Sequence, residues 1–274
     1  MLGVYMGIDE SVRDYVLRGL EDLRKGSLAM LIAQILSIAV IVVLVVSLFP
    51  LLGALPFIIT TPQAPPYTDL IRSLTSLRFL LALLIAMGIF GLASLIFTIY
   101  AIYIKFIPGS SKLRRWSADF STPSMLMKIG YIGGLIVIVV GIVIMMVLAI
   151  TLLPTMPSRG AFSSPMDFLR FLAPLFGGIA IVFIGGLLWL IGNIGLIILF
   201  FKLHTIFKEM PLLIAAIIFI ILIVSSFIAA IPFIGMFISI AISILPLVAW
   251  LLSYIGLGNI VRKIHSQTIE PVAV

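Results

Sequence analysis

The chain has 274 residues, 63% of them hydrophobic and 10% charged, and a formal net charge of +7. A water-soluble domain carries about 25% charged residues, so a solvated surface around one buried core is excluded, whereas apolar length suffices for several bilayer crossings of roughly 20 residues each. Cysteine is absent, which removes disulfides, thiolate catalysis and cysteine-ligated metal sites.

The expected fold is all-α: a polytopic membrane bundle of six transmembrane helices over residues 28–260, with a cytoplasmic amphipathic helix before it (1–27) and a short cytoplasmic tail after it (261–274). The opening stretch GIDESVRDYVLRGLEDLRKGSL, residues 7–28, carries five acids and four bases. Its apolar residues Ile8, Val12, Tyr15, Val16, Gly19, Leu20 and Leu23 recur at helical steps, and Ser11 with Asp14 suits an N-terminal cap. Asp14 with Arg18 and Glu21 with Lys25 are acid-first pairs four apart. Balanced charge sets the segment apart from basic helices that seek anionic lipid. Its stripe is expected to pack on protein, whether its own bundle, a membrane-protein partner or a second copy of the chain.

The pattern Gly19-Leu20, Leu23-Arg24 and Gly26-Ser27-Leu28, leading into a long Ile/Val/Leu helix, resembles an uncharacterised family of archaeal multi-pass membrane proteins, a domain of unknown function found mostly in thermophilic organisms. The resemblance implies a helical fold in an archaeal plasma membrane. It implies no activity, so it transfers no functional residue. Scarce amides (Asn193, Asn259, Gln34, Gln63 and Gln267) and missing cysteine lean the same way, towards a thermophilic source.

Spans are expected near residues 28–49, 79–104, 129–153, 172–201, 211–230 and 233–257. Glu209 and Arg262 bound 52 positions without a charge, too long for one crossing, and Pro232 with Gly235 divides that run. Thirteen of the 17 lysines and arginines then fall on one side: the N-terminal segment, the loop after span two, the loop after span four and the tail. The positive-inside rule places that side, with both termini, in the cytoplasm. The apolar run beginning at Leu28 is too long for a signal-peptide core and reads as a retained anchor.

The loop SKLRRWS, residues 111–117, has the basic and aromatic mix of a phosphate-binding patch. Insertion already demands a basic cytoplasmic loop, so nucleic acid is not an expected partner. Lys112, Arg114, Arg115 and Trp116 are instead candidate contacts to anionic lipid headgroups. A shift of 98 residues overlays spans one and two on three and four, aligning Pro56 with Pro154, Asp69 with Asp167, Arg72 with Arg170 and Gly88 with Gly186. Within that overlay, TDLIRSL and MDFLRFL read as short interfacial helices.

Every Asp and Glu lies outside the expected spans, and both histidines, His204 and His265, lie in cytoplasmic segments. Proton relays, intramembrane hydrolysis and metal sites therefore lack their usual residues, and no cofactor is expected. The spans instead carry glycine. Gly178, Gly185 and Gly192 recur at seven-residue steps in the fourth span, widened by Gly177, Gly186 and Gly195, while Gly130, Gly134 and Gly141 stand in the third. Asn193 within that stripe and Gln34 in the first span are candidate packing or pore-lining amides. Pro246 is expected to kink the sixth span, with Ser239, Ser243 and Ser253 at hand for the freed carbonyl. These features favour a non-enzymatic scaffold or accessory subunit of a membrane assembly. The second reading is a permease or channel for a small neutral or apolar solute.

Overall fold

The computed structural model describes residues 10–60, 77–152, 165–229 and 244–266. Its elements are α1 (Glu10–Thr60), α2 (Leu77–Ile99), a π-helical segment Tyr100–Phe106, α3 (Ile107–Trp116), a 3₁₀ turn Ala118–Phe120, α4 (Ser121–Lys128), a second π-helical segment Ile129–Gly133, α5 (Gly134–Leu152), α6 (Pro165–Phe207), α7 (Met210–Ala229) and α8 (Leu245–His265). Among the described residues, six helices are long and apolar enough to cross a membrane.

The expected separate amphipathic helix is not found. Residues 10–28 are the first turns of α1, which runs 51 residues without a break. Nothing in the stretch interrupts it: the first proline is Pro50, and the glycines serve close packing. A Cβ on Gly26 would stand 2.9 Å from the Phe106 ring, and one on Gly19 3.2 Å from the Gly109 carbonyl. The apolar stripe does what its spacing demands. Val16, Leu20 and Leu23 are fully buried against the chain's own helices, since α1 packs along α2, α3 and α8. The Asp14–Arg18 pair closes at 2.8 Å and Glu21–Lys25 at 3.8 Å on the outer face.

The segment 105–128, expected as a loop, is helical apart from a break at Ser117. Ser117 is extended, and its hydroxyl accepts from the Asp119 N–H. Pro246 is not a mid-helix kink: it stands in the first turn of α8, where a missing N–H costs little. Ser253 returns its hydroxyl to the Ala249 carbonyl at 2.8 Å. Ser239, Ser243, the reversal at Pro232 and TDLIRSL lie outside the described residues, whereas MDFLRFL is continuous with α6.

Helix neighbours run in the order α2, α1, α8, α7, α6, α5, with α3 and α4 bridging α1 to α6. The buried core is concentrated at the charged end, around Leu20, Phe106, Leu113, Phe120, Met127, Phe200, Leu203, Leu257 and Ile260. Away from it the helices turn large apolar side chains outward, such as Leu84, Ile89, Phe183 and Ile150, as a chain solvated by lipid should. Polar side chains fasten the charged end. Asp22 holds Lys105 at 2.9 Å and Lys112 at 2.5 Å. Glu209, nearly buried, binds Lys263 and accepts from Asn259 Nδ2 at 3.1 Å. Lys208, at φ 55°, makes the tight link from α6 to α7, and its N–H donates to the His204 carbonyl at 2.7 Å.

Candidate functional site

One cavity at membrane depth combines four helices. Its volume is about 290 Å³, and its wall is Met30 from α1, Leu190, Asn193, Leu196 and Ile197 from α6, Phe219, Leu222, Ile223 and Ser226 from α7, and Trp250 from α8. The space exists because α1 and α6 face each other across the α7–α8 pair rather than packing side by side. An aromatic layer adjoins it. Phe106 stacks on Trp250 at 5.4 Å, Trp250 meets Phe219 edge-on at 4.7 Å, and Phe219 lies 6.0 Å from Phe200.

Among the described residues, no ionised group lines this cavity. Its polar groups are an amide, a hydroxyl and an indole. Ser226 donates to the Ile223 carbonyl at 2.7 Å. Asn193 is held by a chain of hydrogen bonds through both π-helical segments. Tyr103, from the first, donates its hydroxyl to the Tyr131 carbonyl in the second at 2.7 Å. The Tyr131 hydroxyl in turn donates to Asn193 Oδ1 at 2.9 Å. Segments of π-helix are rare and gather at functional sites; here the Tyr131 carbonyl accepts a phenol as well as the Gly134 N–H. The Tyr131 ring is fixed as well by Trp189, edge-on at 5.3 Å.

The other amide singled out by sequence, Gln34, is half-buried on α1, away from the cavity wall, and makes no hydrogen bond with a described residue. The neighbouring seam of α1 and α2 uses serines instead: the Ser37 and Ser94 hydroxyls are 2.8 Å apart, and Ser94 donates to the Ala33 carbonyl at 2.9 Å.

Behind Asn193, the glycines of α6 face α5 and the second π segment. A Cβ on Gly185 would stand 2.6 Å from Ile138 Cγ1, one on Gly192 2.8 Å from the Tyr131 ring, and one on Gly178 would collide with Met145. From the opposite side, Gly130 meets the Gly192 backbone and Gly134 lies 3.0 Å from the Gly185 carbonyl, both measured from an added Cβ. Gly177 and Gly186 face open space and do not widen the stripe, but Gly195 does, at 2.8 Å from the Met127 nitrogen.

The four residues of the basic patch divide. Lys112 is committed to Asp22. Trp116 turns inward, 5.6 Å from Phe120 and 6.1 Å from Phe207, with its indole N–H buried and unpaired. Arg115 lies over the Tyr15 ring and donates to its hydroxyl at 2.6 Å. Arg114 is exposed.

Sequence reasoning searched the spans for charge and amides, so it found Asn193 and passed over Tyr103, Tyr131, Ser226 and Trp250. Tyr131, polar at one end and placed inside the glycine-rich start of span three, was the available signal. Residues 17–273 match a family described as "Protein of unknown function (DUF973)". No curated protein and no solved structure matches the chain.

Proposed function

The chain belongs to that family of unknown function, and from this premise we propose that it is a membrane-embedded binding protein for a small, neutral, largely apolar molecule. The observation that carries the reading is the uncharged cavity at membrane depth, walled by four helices and polarised only by Asn193, Ser226 and Trp250. Ligand sites are commonly apolar hollows with a few placed polar groups, and 290 Å³ lies at the small end of their range. A neutral apolar solute crosses a bilayer unaided, and an aromatic layer adjoins the cavity. Retention of a ligand therefore suits the geometry better than conduction, and no chemical step is assigned.

The rest of the reading follows the charge distribution. The charged end lies in the cytoplasm, with both termini; the resemblance and the scarce amides favour the plasma membrane of a thermophilic archaeon. The glycines of α5 and α6 form a packing seam that holds Asn193 in place. Arg114 and Arg115 remain as contacts for anionic lipid. A scaffold role would draw on the outer face of α1, where the Asp14–Arg18 and Glu21–Lys25 pairs are exposed.

The test is photolabelling of the full-length protein in lipid nanodiscs with a small alkyl diazirine, followed by peptide mapping. Saturable labelling of Leu190–Ile197 and Phe219–Ser226, lost in a cavity-filling Ser226→Phe variant, is the expected result. Labelling confined to the lipid-facing surfaces of α2 and α5 and unaffected by Ser226→Phe would overturn the reading. A stable complex with another membrane protein in gentle extracts would then favour the scaffold.

A further inference from the structure

We infer that the cavity selects its ligand through a hydrogen-bond-accepting oxygen, a carbonyl or ether set on an apolar body. This inference rests on the binding reading above and names the class of ligand within it.

A primary amide offers one accepting oxygen and two N–H donors. At Asn193 the oxygen already receives the Tyr131 hydroxyl. The reverse orientation of the amide is disfavoured, because a phenol must place its proton on an acceptor, and Oδ1 is the one it meets. What Asn193 keeps open at the cavity is Nδ2, which meets no acceptor among the described residues. Trp250, also on the wall, makes no hydrogen bond among the described residues. Ser226 has spent its proton on the Ile223 carbonyl. The wall thus presents donors without partners, beside apolar side chains from all four helices. An unpaired donor in an apolar site is costly, so a ligand that brings an acceptor is rewarded. A pure hydrocarbon of the same shape leaves the donor stranded, and sites built this way discriminate strongly against such analogues.

The Tyr103–Tyr131–Asn193 chain is what makes the selection directional. Without the Tyr131 hydroxyl, the amide would be free to turn and offer its oxygen. Tyr131 is therefore a positioning residue, and its removal should change which ligands bind rather than whether any binds.

Cyclohexanone and methylenecyclohexane are nearly isosteric and differ in whether an acceptor oxygen is present. Their affinities for the full-length protein in nanodiscs can be compared by competition in saturation-transfer NMR. The ketone is expected to bind about tenfold tighter, and Asn193→Leu should erase that ratio. Tyr131→Phe provides a second handle. With Oδ1 freed, cyclohexanol should gain several-fold relative to the ketone. Equal affinities of ketone and hydrocarbon in the unmodified protein would overturn the inference and leave the cavity as an apolar ligand site. Absence of saturable binding by either would overturn both the inference and the reading beneath it. A ketone preference that survives Asn193→Leu and is unmoved by Tyr131→Phe would also overturn the inference, because the selecting donor would lie elsewhere.

Discussion

Gly192→Ala tests the close approach behind Asn193. The added methyl would stand 2.8–2.9 Å from three atoms of the Tyr131 ring, and that ring cannot yield cheaply. It is 2% exposed, its hydroxyl is bonded to Asn193, and its carbonyl is bonded to Tyr103. Forcing a methyl into a packed site costs about 1–3 kcal/mol. Losing the Tyr131–Asn193 bond adds about 1 kcal/mol within a membrane, and replacing a helical glycine returns about 0.5–1 kcal/mol. The net expectation is a destabilisation of about 1–3 kcal/mol. Gly186→Ala is the internal control, since it lies on the same helix with nothing within 4 Å of its added Cβ; it should be neutral or stabilise slightly. Unfolding in mixed micelles titrated with SDS measures both variants. If the two unfold at the same SDS fraction, the seam is loose and the argument from close approach is wrong.

Asp22→Ala strands Lys105 and Lys112 in a partly buried place and should cost about 2 kcal/mol in the same titration. Asp14→Ala breaks an exposed pair and should cost less than about 0.5 kcal/mol, a loss that salt abolishes. Arg24→Lys gives up a hydrogen bond to the Tyr254 hydroxyl at 3.0 Å and a ring contact at 4.7 Å; about 1 kcal/mol is expected, and a double-mutant cycle with Tyr254→Phe should recover most of it as coupling. The chain has no cysteine, so single cysteines report topology directly. In intact cells a membrane-impermeant maleimide should label Arg159→Cys and spare Arg114→Cys, and the reverse pattern would invert the assigned orientation.

Helix type was legible because it depends on composition within a single segment. Six apolar runs are local facts about the chain. Whether the charged opening stretch stands apart from the first span is a different question, because amphipathic and apolar stretches both favour helix and nothing between them says stop. Residues 105–128 read as a loop since their hydropathy is low, yet Leu113, Phe120 and Met127 are core residues, so polarity there marks the end of the membrane rather than the end of the helix. The cavity was illegible for a stronger reason: it depends on the distance between α1 and α6, which no segment encodes alone. Gln34 and Asn193 are the same chemistry in two apolar spans, and only the spatial arrangement separates them. The overlay by 98 residues has some geometric echo. Ser94 meets Ala33, and their counterparts, Gly192 and Tyr131, also meet.

The π-helical segments have a consequence for how this chain can vary in length. Such a segment spends one extra residue on a turn, so everything beyond it is rotated by about 100° relative to an uninterrupted α-helix. Deleting a single residue between Tyr100 and Phe106 would let the helix close into regular form and leave Lys112 facing Asp22, whereas closing the segment without a deletion would swing α3 round and carry Lys112 off Asp22. A one-residue deletion in the second segment, Ile129–Gly133, would likewise keep the α5 glycines turned to α6, whereas closure without a deletion would turn them away. The counterparts of these stretches under the 98-residue overlay, residues 198–204 and 31–35, lie within unbroken α-helix. The overlaid segments thus differ by single-residue phase slips, and both sit at the tyrosines that hold Asn193.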